Sequence, residues 1–563
     1  MTLIRFFIDA ATRTRFALPI VSLAAVTGLA SGATNTWILA IVHQSVTSGT
    51  RPGARGILTF ALLCAAMVAM RAASQVLLTR FGISISRYVR LRMCHLIVGA
   101  NLRKLEEIGP ARLLGAFTED TPAITNGVAV LPTLCVNAVI GLGCLAYIAW
   151  LSWPLLATVL VAGGIGVSVY RLMQRQARDR FLVAYGRYVT LLKNFRTLVD
   201  GAKELKLHAE RRTEFIGTEI EATTDAVAEH RFVAAVWFAI AENWVTGMVF
   251  LVIGLLLLTP GFFGGVDAAG LTGSVLVFLY LTQPVQAMLG ALPSLTQAQV
   301  AVKKIRVVED ALSSGAASTP QRPLARAAAP CRLLELRGLC HTYMRDGQGG
   351  FTLGPIDLTL RAGEITFIAG GNGSGKTTLM KLLTGLYAAE RGEILVDGVR
   401  VTADTMDWYR SHFSAVFADF HLFDRLLGLP EMDAAAERYL AVLQLANKVQ
   451  IKDGQLSTTE LSQGQRKRLA LLTAYLEDRP IYVFDEWAAD QDPVFREFFY
   501  MQLLPELRDR GKTLLVVSHD DRYYGLADQL IKLDYGAIDY VRAAGSRETE
   551  SRETDSRETI GVA

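Results

Sequence analysis

Two short stretches carry residue types and spacings that could do chemistry. GGNGSGKT, residues 370–377, sets glycines ahead of a lysine and a threonine, follows the apolar run ITFIA and precedes TLMKLLTGLY. Strand, glycine loop and helix form the context in which backbone N–H groups curl around phosphate oxygens and a helix N-terminus favours the anion. Gly370, Asn372, Gly373, Ser374, Gly375 and Thr378 would supply that cradle. Lys376 would reach the β- and γ-phosphates, and the Thr377 hydroxyl would ligate magnesium. IYVFDE, residues 481–486, is an apolar run closing on two acids. Asp485 suits the same magnesium, directly or through water, and Glu486 suits polarising an attacking water.

The elements that must position these residues divide the chain in two. Of its 563 residues 51% are hydrophobic and the mean hydropathy is +0.30, high for a soluble protein. Most of that excess lies before about residue 300; beyond it, short β-branched runs alternate with helical periods in an α/β layout. The expected domains are 1–312, a Pro- and Ala-rich linker over 313–330, an α/β domain over 331–542 and a tail over 543–563. The tail repeats SRET three times and reads as disordered. A net charge of +4 is too small on this length to suggest nucleic-acid binding. The six cysteines form no CxxC pair, which argues against a zinc or thioredoxin-like site.

Six stretches are apolar over about 20 residues, the length a spanning helix needs: 16–43, 56–79, 125–150, 154–175, 232–258 and 270–298. The N-terminus reads as a retained first span rather than a signal peptide. Arginine and lysine crowd the two long connections, and the short turns at 151–153 and 259–268 have none; only Arg51 and Arg55 dissent. That bias places both termini and both long connections on the cytoplasmic side, which six spans satisfy and five or seven do not. Gly201 interrupts a helical pattern just before KELKLH, and Gly109-Pro110 breaks LEEIGPARLLGAFTED. Both read as turns at a cytoplasmic tip, suited to docking a soluble domain. Glu242, with Asn243 beside it, lies inside the fifth span and is a candidate for a substrate cavity. Asn35, Asn137, Gln283 and Gln286 are weaker candidates, and Pro284 and Pro293 would loosen the sixth helix.

Between the phosphate loop and the paired acids lies LSQGQ, 461–465. Together the three motifs resemble the nucleotide-binding domain of ABC transporters, and the membrane half resembles that of half-size bacterial exporters. The resemblance implies ATP and Mg2+ as cofactors. It also implies a dimer of two such chains, in which Ser462, Gln463, Gly464 and Gln465 of one chain bind the ATP held by the other. It implies that His519, ending VVSH, contacts the γ-phosphate, that Asp492 ends the loop after the acids, and that Tyr343 stacks on adenine. Three departures stand out. Gln463 occupies the third position of the usual LSGGQ, and Ala489-Asp490-Gln491 replaces the usual Ser-Ala-Leu. In SAVFADFHLF, 414–423, Ala418 falls where the family keeps a glutamine, with Asp419 next to it. Asp419 either takes over as a magnesium ligand and sensor, or caps the loop while Phe420, Leu422 and Phe423 pack toward 201–208.

The expected fold is therefore a membrane α-helical bundle of six transmembrane helices fused to a cytoplasmic α/β P-loop ATPase. GAKELKLH, SAVFADFHLFD and DEWAADQDP resemble the cyclic-peptide and siderophore exporter subfamily, which includes pyoverdine, syringomycin and microcin exporters. The resemblance implies ATP-driven export of a peptide-derived molecule across the bacterial inner membrane by a homodimer in contact with membrane lipid. A lipid or multidrug exporter is the alternative, and an ATP-switched membrane regulator a further one. The six spans exclude a soluble ATPase of translation or repair. No peptidase-like segment precedes the first span, so leader processing is not expected.

Overall fold

The computed structural model describes residue 12 and residues 17–48, 53–258, 268–313, 331–345, 348–429 and 432–543. Arg51, most of the turn at 259–268, nearly all of the expected linker and the SRET tail lie outside the described residues. Two compact units emerge: 1–94 with 111–309, and 95–110 with 310–563.

The first unit is helical. Helices α1 (Ala17–Ser48) and α2 (Ala54–Gly99) lead into it. They are followed, among others, by α4 (Leu131–Leu151), α5 (Trp153–Asp200), α7 (Ala222–Leu258) and α8 (Ala268–Ser313); the short helices α3 (Leu102–Ile108) and α6 (Ala202–Leu207) fall between. Six helical stretches are long and apolar enough to cross a membrane, as the hydropathy predicts. Several run well beyond their apolar part. α2 has 46 residues, about 69 Å at 1.5 Å per residue, roughly twice a bilayer core. Gly201 ends α5 as expected, because its neighbours on either side are helical and it is not. Pro284 and Pro293 both lie inside α8.

The second unit holds the α/β fold, with α3 packed as part of it. Strands β1 (Leu333–Arg345), β2 (Gln348–Arg361), β4 (Arg391–Val396) and β5 (Val399–Arg400) make an antiparallel sheet ordered β2-β1-β4-β5. β3 (Ile365–Gly370), β6 (Phe413–Val416), β9 (Ile481–Asp485), β10 (Thr513–Val517), β11 (Gln529–Asp534) and β12 (Ala537–Ala543) make the second, ordered β12-β11-β3-β10-β9-β6. β7 (Ile451–Lys452) and β8 (Gln455–Leu456) pair as a small hairpin. In the second sheet β11, β3, β10, β9 and β6 run parallel. Parallel strands are covered on both faces and read as continuous apolar runs, and β9 and β10 are buried throughout. Helix α9 (Lys376–Leu383) packs on one side with the antiparallel sheet, and α10 (Gln463–Glu477) helps build the second core.

Candidate active site

Strand order does the first part of the positioning. Because β3, β10, β9 and β6 are parallel neighbours, the loops leaving their C-terminal ends fall side by side, where open α/β sheets bind ligands. Those loops carry, in order, the glycine loop, His519, the acids Asp485 and Glu486, and Ala418-Asp419.

The glycine loop needs its glycines. Gly375 has φ +101, and a Cβ there would meet Leu353 Cδ1 at 2.8 Å. Gly370 has φ +153, and a Cβ would lie 2.4 Å from the Leu533 carbonyl oxygen. Lys376, buried at the start of α9, donates to the carbonyls of Gly370 at 2.9 Å and Gly371 at 3.0 Å. Burial lowers its pKa, and the carboxylates of Glu486 and Asp485 oppose the shift. Asn372, Gly373 and Thr377 are exposed and Thr378 is half-buried, whereas the Ser374 hydroxyl is buried without a hydrogen-bond partner.

Asp485 is 1% exposed, and both carboxylate oxygens lack a hydrogen-bond partner. Burial raises its pKa; the adjacent Thr377 hydroxyl acts against this, while Glu486 and Asp419 reinforce it. An orphaned buried carboxylate beside a hydroxyl is the donor set a hard divalent cation takes, so these residues fit Mg2+. Glu486 stands in the left-handed region, φ 49, and its Oε1 lies 3.0 Å from His519 Nε2. Asp419 is exposed at the edge of this group, near enough to both Asp485 and Lys381 to act on their charge. Leu422 and Phe420 join this unit's own core and Phe423 is exposed, so the loop beyond Asp419 anchors locally.

Tyr343 is half-buried on β1, edge-on to His341 at 5.2 Å and to Tyr387 at 5.9 Å. Ser462 caps α10 and forms a capping box with Gln465, so LSQGQ presents the N-terminus of a 15-residue helix. Among the described residues no hydrogen bond joins 461–465 to 370–378. Asp492 accepts the Phe495 amide at 3.0 Å as a helix cap and pairs with Arg468. The Phe495 amide is the larger cause of its lowered pKa.

Several residues were not singled out from sequence. Glu106 of α3 bonds Lys381 at 2.8 Å and also meets Tyr387, while Arg103 meets Glu390 at 3.0 Å. The break at Gly109, φ +79, did mark this helix. Lys467 is buried within a basic triplet, a pattern that gives no hint of burial. In the helical unit, Glu242 and Asn243 are both exposed on α7, and Asn243 bonds its own helix at Ala239. Arg71 is an ionisable residue inside a span of the same kind, exposed on α2, and its sequence context MVAMRAAS is a sufficient signal.

Comparison with known proteins finds one matching family and several relatives. The family described as "ABC transporter" matches residues 353–489. The ATP-binding protein SyrD of Pseudomonas syringae pv. syringae is 36% identical over 534 residues, 91% of this chain and 92% of that protein. An ATP-dependent lipid A-core flippase of Bordetella pertussis is 26% identical over 83% of this chain and 76% of its own length. The subtilin transport ATP-binding protein SpaT of Bacillus subtilis is 31% identical over 35% of each chain.

Proposed function

We propose that this chain, which belongs to the ABC transporters, exports a peptide-derived small molecule, a cyclic peptide or siderophore, across the bacterial inner membrane. That it is a membrane protein binding ATP and coupling its hydrolysis to transport follows from the family. The observation that carries the cargo class is the resemblance of three stretches to the peptide and siderophore exporters, and the 36% identity to SyrD extends over 91% of the chain and so takes in the membrane helices as well as the ATPase. Those stretches are GAKELKLH, SAVFADFHLFD and DEWAADQDP, and the subtilin transport named for SpaT supports the same class. The flippase relatives support the alternative, a lipid cargo.

In this reading two identical chains face each other, because the helix N-terminus at Ser462–Gln465 bonds nothing in its own glycine loop. Each would supply it to the ATP of the other, with Asp492 at the end of the adjoining loop. Gly370 to Thr378 hold the phosphates through backbone amides and Lys376, and Tyr343 stacks on adenine. Thr377 and Asp485 would hold Mg2+, with Asp419 as a further oxygen ligand; the ion supplies charge neutralisation at the β- and γ-phosphates. Glu486 accepts the proton of the attacking water, and His519, 3.0 Å from it, orients that carboxylate and reaches the γ-phosphate. The charge of Asp419 acts on both Asp485 and Lys381, and Lys381 holds α3 through Glu106; that coupling supports a sensing role. Glu242, Asn243 and Arg71 are the polar candidates for cargo contact.

The test is mass spectrometry of culture supernatants from cells with and without the chain, paired with ATP-dependent uptake into inverted vesicles. A peptide-like product should vanish with the chain and accumulate in the vesicles. Unchanged supernatants with ATP-driven movement of lipid between leaflets would replace this cargo by the alternative.

A further inference from the structure

The three places where the signature and the loop after the acids depart from the family meet one another. Gln463 Nε2 donates to Asp490 Oδ2 at 3.0 Å, and Gln491 Nε2 donates to the Gly464 carbonyl at 3.0 Å. The two loops touch at the backbone, since a Cβ on Gly464 would lie 2.8 Å from the Asp490 carbonyl oxygen. Beneath them the Lys467 ammonium, 3% exposed, sits between Asp490 Oδ2 at 2.7 Å and the Glu486 carbonyl at 2.8 Å. Trp487 closes the ring by donating its indole N–H to the Lys467 carbonyl at 2.9 Å.

This arrangement does something specific to Glu486. Its left-handed backbone is one that L side chains adopt sparingly, and it directs the Glu486 carbonyl onto Lys467. A buried ammonium without its carboxylate would be an uncompensated charge, so Asp490 keeps Lys467 in place. Asp490 in turn is held from the phosphate-facing end of α10 by Gln463.

We propose that Lys467 and Asp490 are positioning residues for hydrolysis. They form a polar lock that fixes the Glu486 turn and ties it to the helix end that engages the partner's ATP. The proposal rests on Glu486 being the catalytic carboxylate. Gln463, Asp490 and Gln491 are then one reciprocal exchange rather than three separate departures.

The experiment is steady-state ATPase of the full-length protein in detergent, with ATP affinity measured separately by a fluorescent nucleotide. Asp490→Ala and Lys467→Met should lower kcat by about tenfold, as misplacement of a catalytic group does, while KM and Kd for ATP stay within about twofold. Gln463→Gly should lower kcat in the native background and have no further effect on Asp490→Ala. Asp490→Asn, which keeps an acceptor for Gln463 and loses the charge, should fall between. Unchanged kcat in Asp490→Ala, independent losses from Gln463 and Asp490, or a fall in kcat matched by weaker ATP binding would overturn the lock. If Asp490→Ala does not fold, Gln463→Gly and Asp490→Asn, singly and combined, carry the same additivity test. Glu486→Gln runs alongside: turnover surviving there removes the catalytic assignment and the lock with it, whereas its loss beside an intact Asp490→Ala removes the lock alone.

Discussion

Glu106 Oε1 stands 2.8 Å from the Lys381 ammonium, on the helix that begins with Lys376. The other Glu106 oxygen meets the Tyr387 phenol, and Leu102 packs against the core below. Helix α3 thus grips the phosphate-binding helix itself. Glu106→Ala should weaken that grip by about 1.5–3 kcal/mol, the range for a hydrogen bond to a charged group. Faster hydrogen exchange across 102–108, with ATP affinity unchanged, is the expected result.

Replacing Glu486 by glutamine keeps the size of the side chain and removes its basicity. ATP should still bind, while turnover falls about 100-fold or more, the scale of general-base catalysis. Measured nucleotide affinity and single-turnover hydrolysis separate the two; brisk hydrolysis by the variant would take the base role from Glu486.

The Asp419 carboxylate acts on the charge of both Asp485 and Lys381. Asp419→Ala should raise the magnesium concentration needed for half-maximal ATPase several-fold and weaken cargo stimulation. A magnesium titration with and without cargo reads both. Normal behaviour in both would leave Asp419 as a loop cap.

Asp485 carries a pH dependence whose sign can be worked out. Burial raises its folded pKa above the ordinary 3.8, so the folded state disfavours the carboxylate. The destabilisation is absent below about pH 3.8, grows as pH rises through the folded pKa and is complete above it. Without nucleotide or metal, Asp485→Asn should therefore raise thermal stability at neutral pH, because the amide takes the same buried place without the charge. The gain should fade on acidification, while Mg2+-dependent hydrolysis is lost at every pH. A melting series over pH, in parallel with ATPase, checks both signs.

What the sequence discloses and what it hides follow the range of the interactions involved. The phosphate loop and its acids are legible because a few adjacent residues dictate each turn, as Gly375 does at φ +101. The spans are legible because hydrocarbon demands a long apolar run. Their extensions are less so: α2 continues to Gly99 past the apolar stretch expected to end at 79, carried by alternating basic and apolar residues that hydropathy does not register. The Gly109 break marks a docking helix, yet its partners Lys381 and Tyr387 are 275 and 281 residues away and cannot be read locally. Lys467 is hidden for a related reason, since the Asp490 carboxylate and the Glu486 carbonyl, neither adjacent in sequence, make its burial tolerable. The Glu242 side chain depends on which face of α7 turns outward, and the apolar pattern around it leaves both faces alike.

Two donors of the nucleotide site are already paired within their own chain. Lys376 donates to two carbonyls of its loop, and the Ser462 hydroxyl takes the Gln465 amide at the start of α10. An arriving phosphate therefore trades partners at these two donors, and the hydrogen bonds it makes there are partly cancelled by those it displaces. The same trade runs in reverse at Lys376 when the γ-phosphate leaves, because two loop carbonyls lie within its reach. Such a site favours turnover over tight retention, and a transport cycle needs its fuel released as readily as it is taken up.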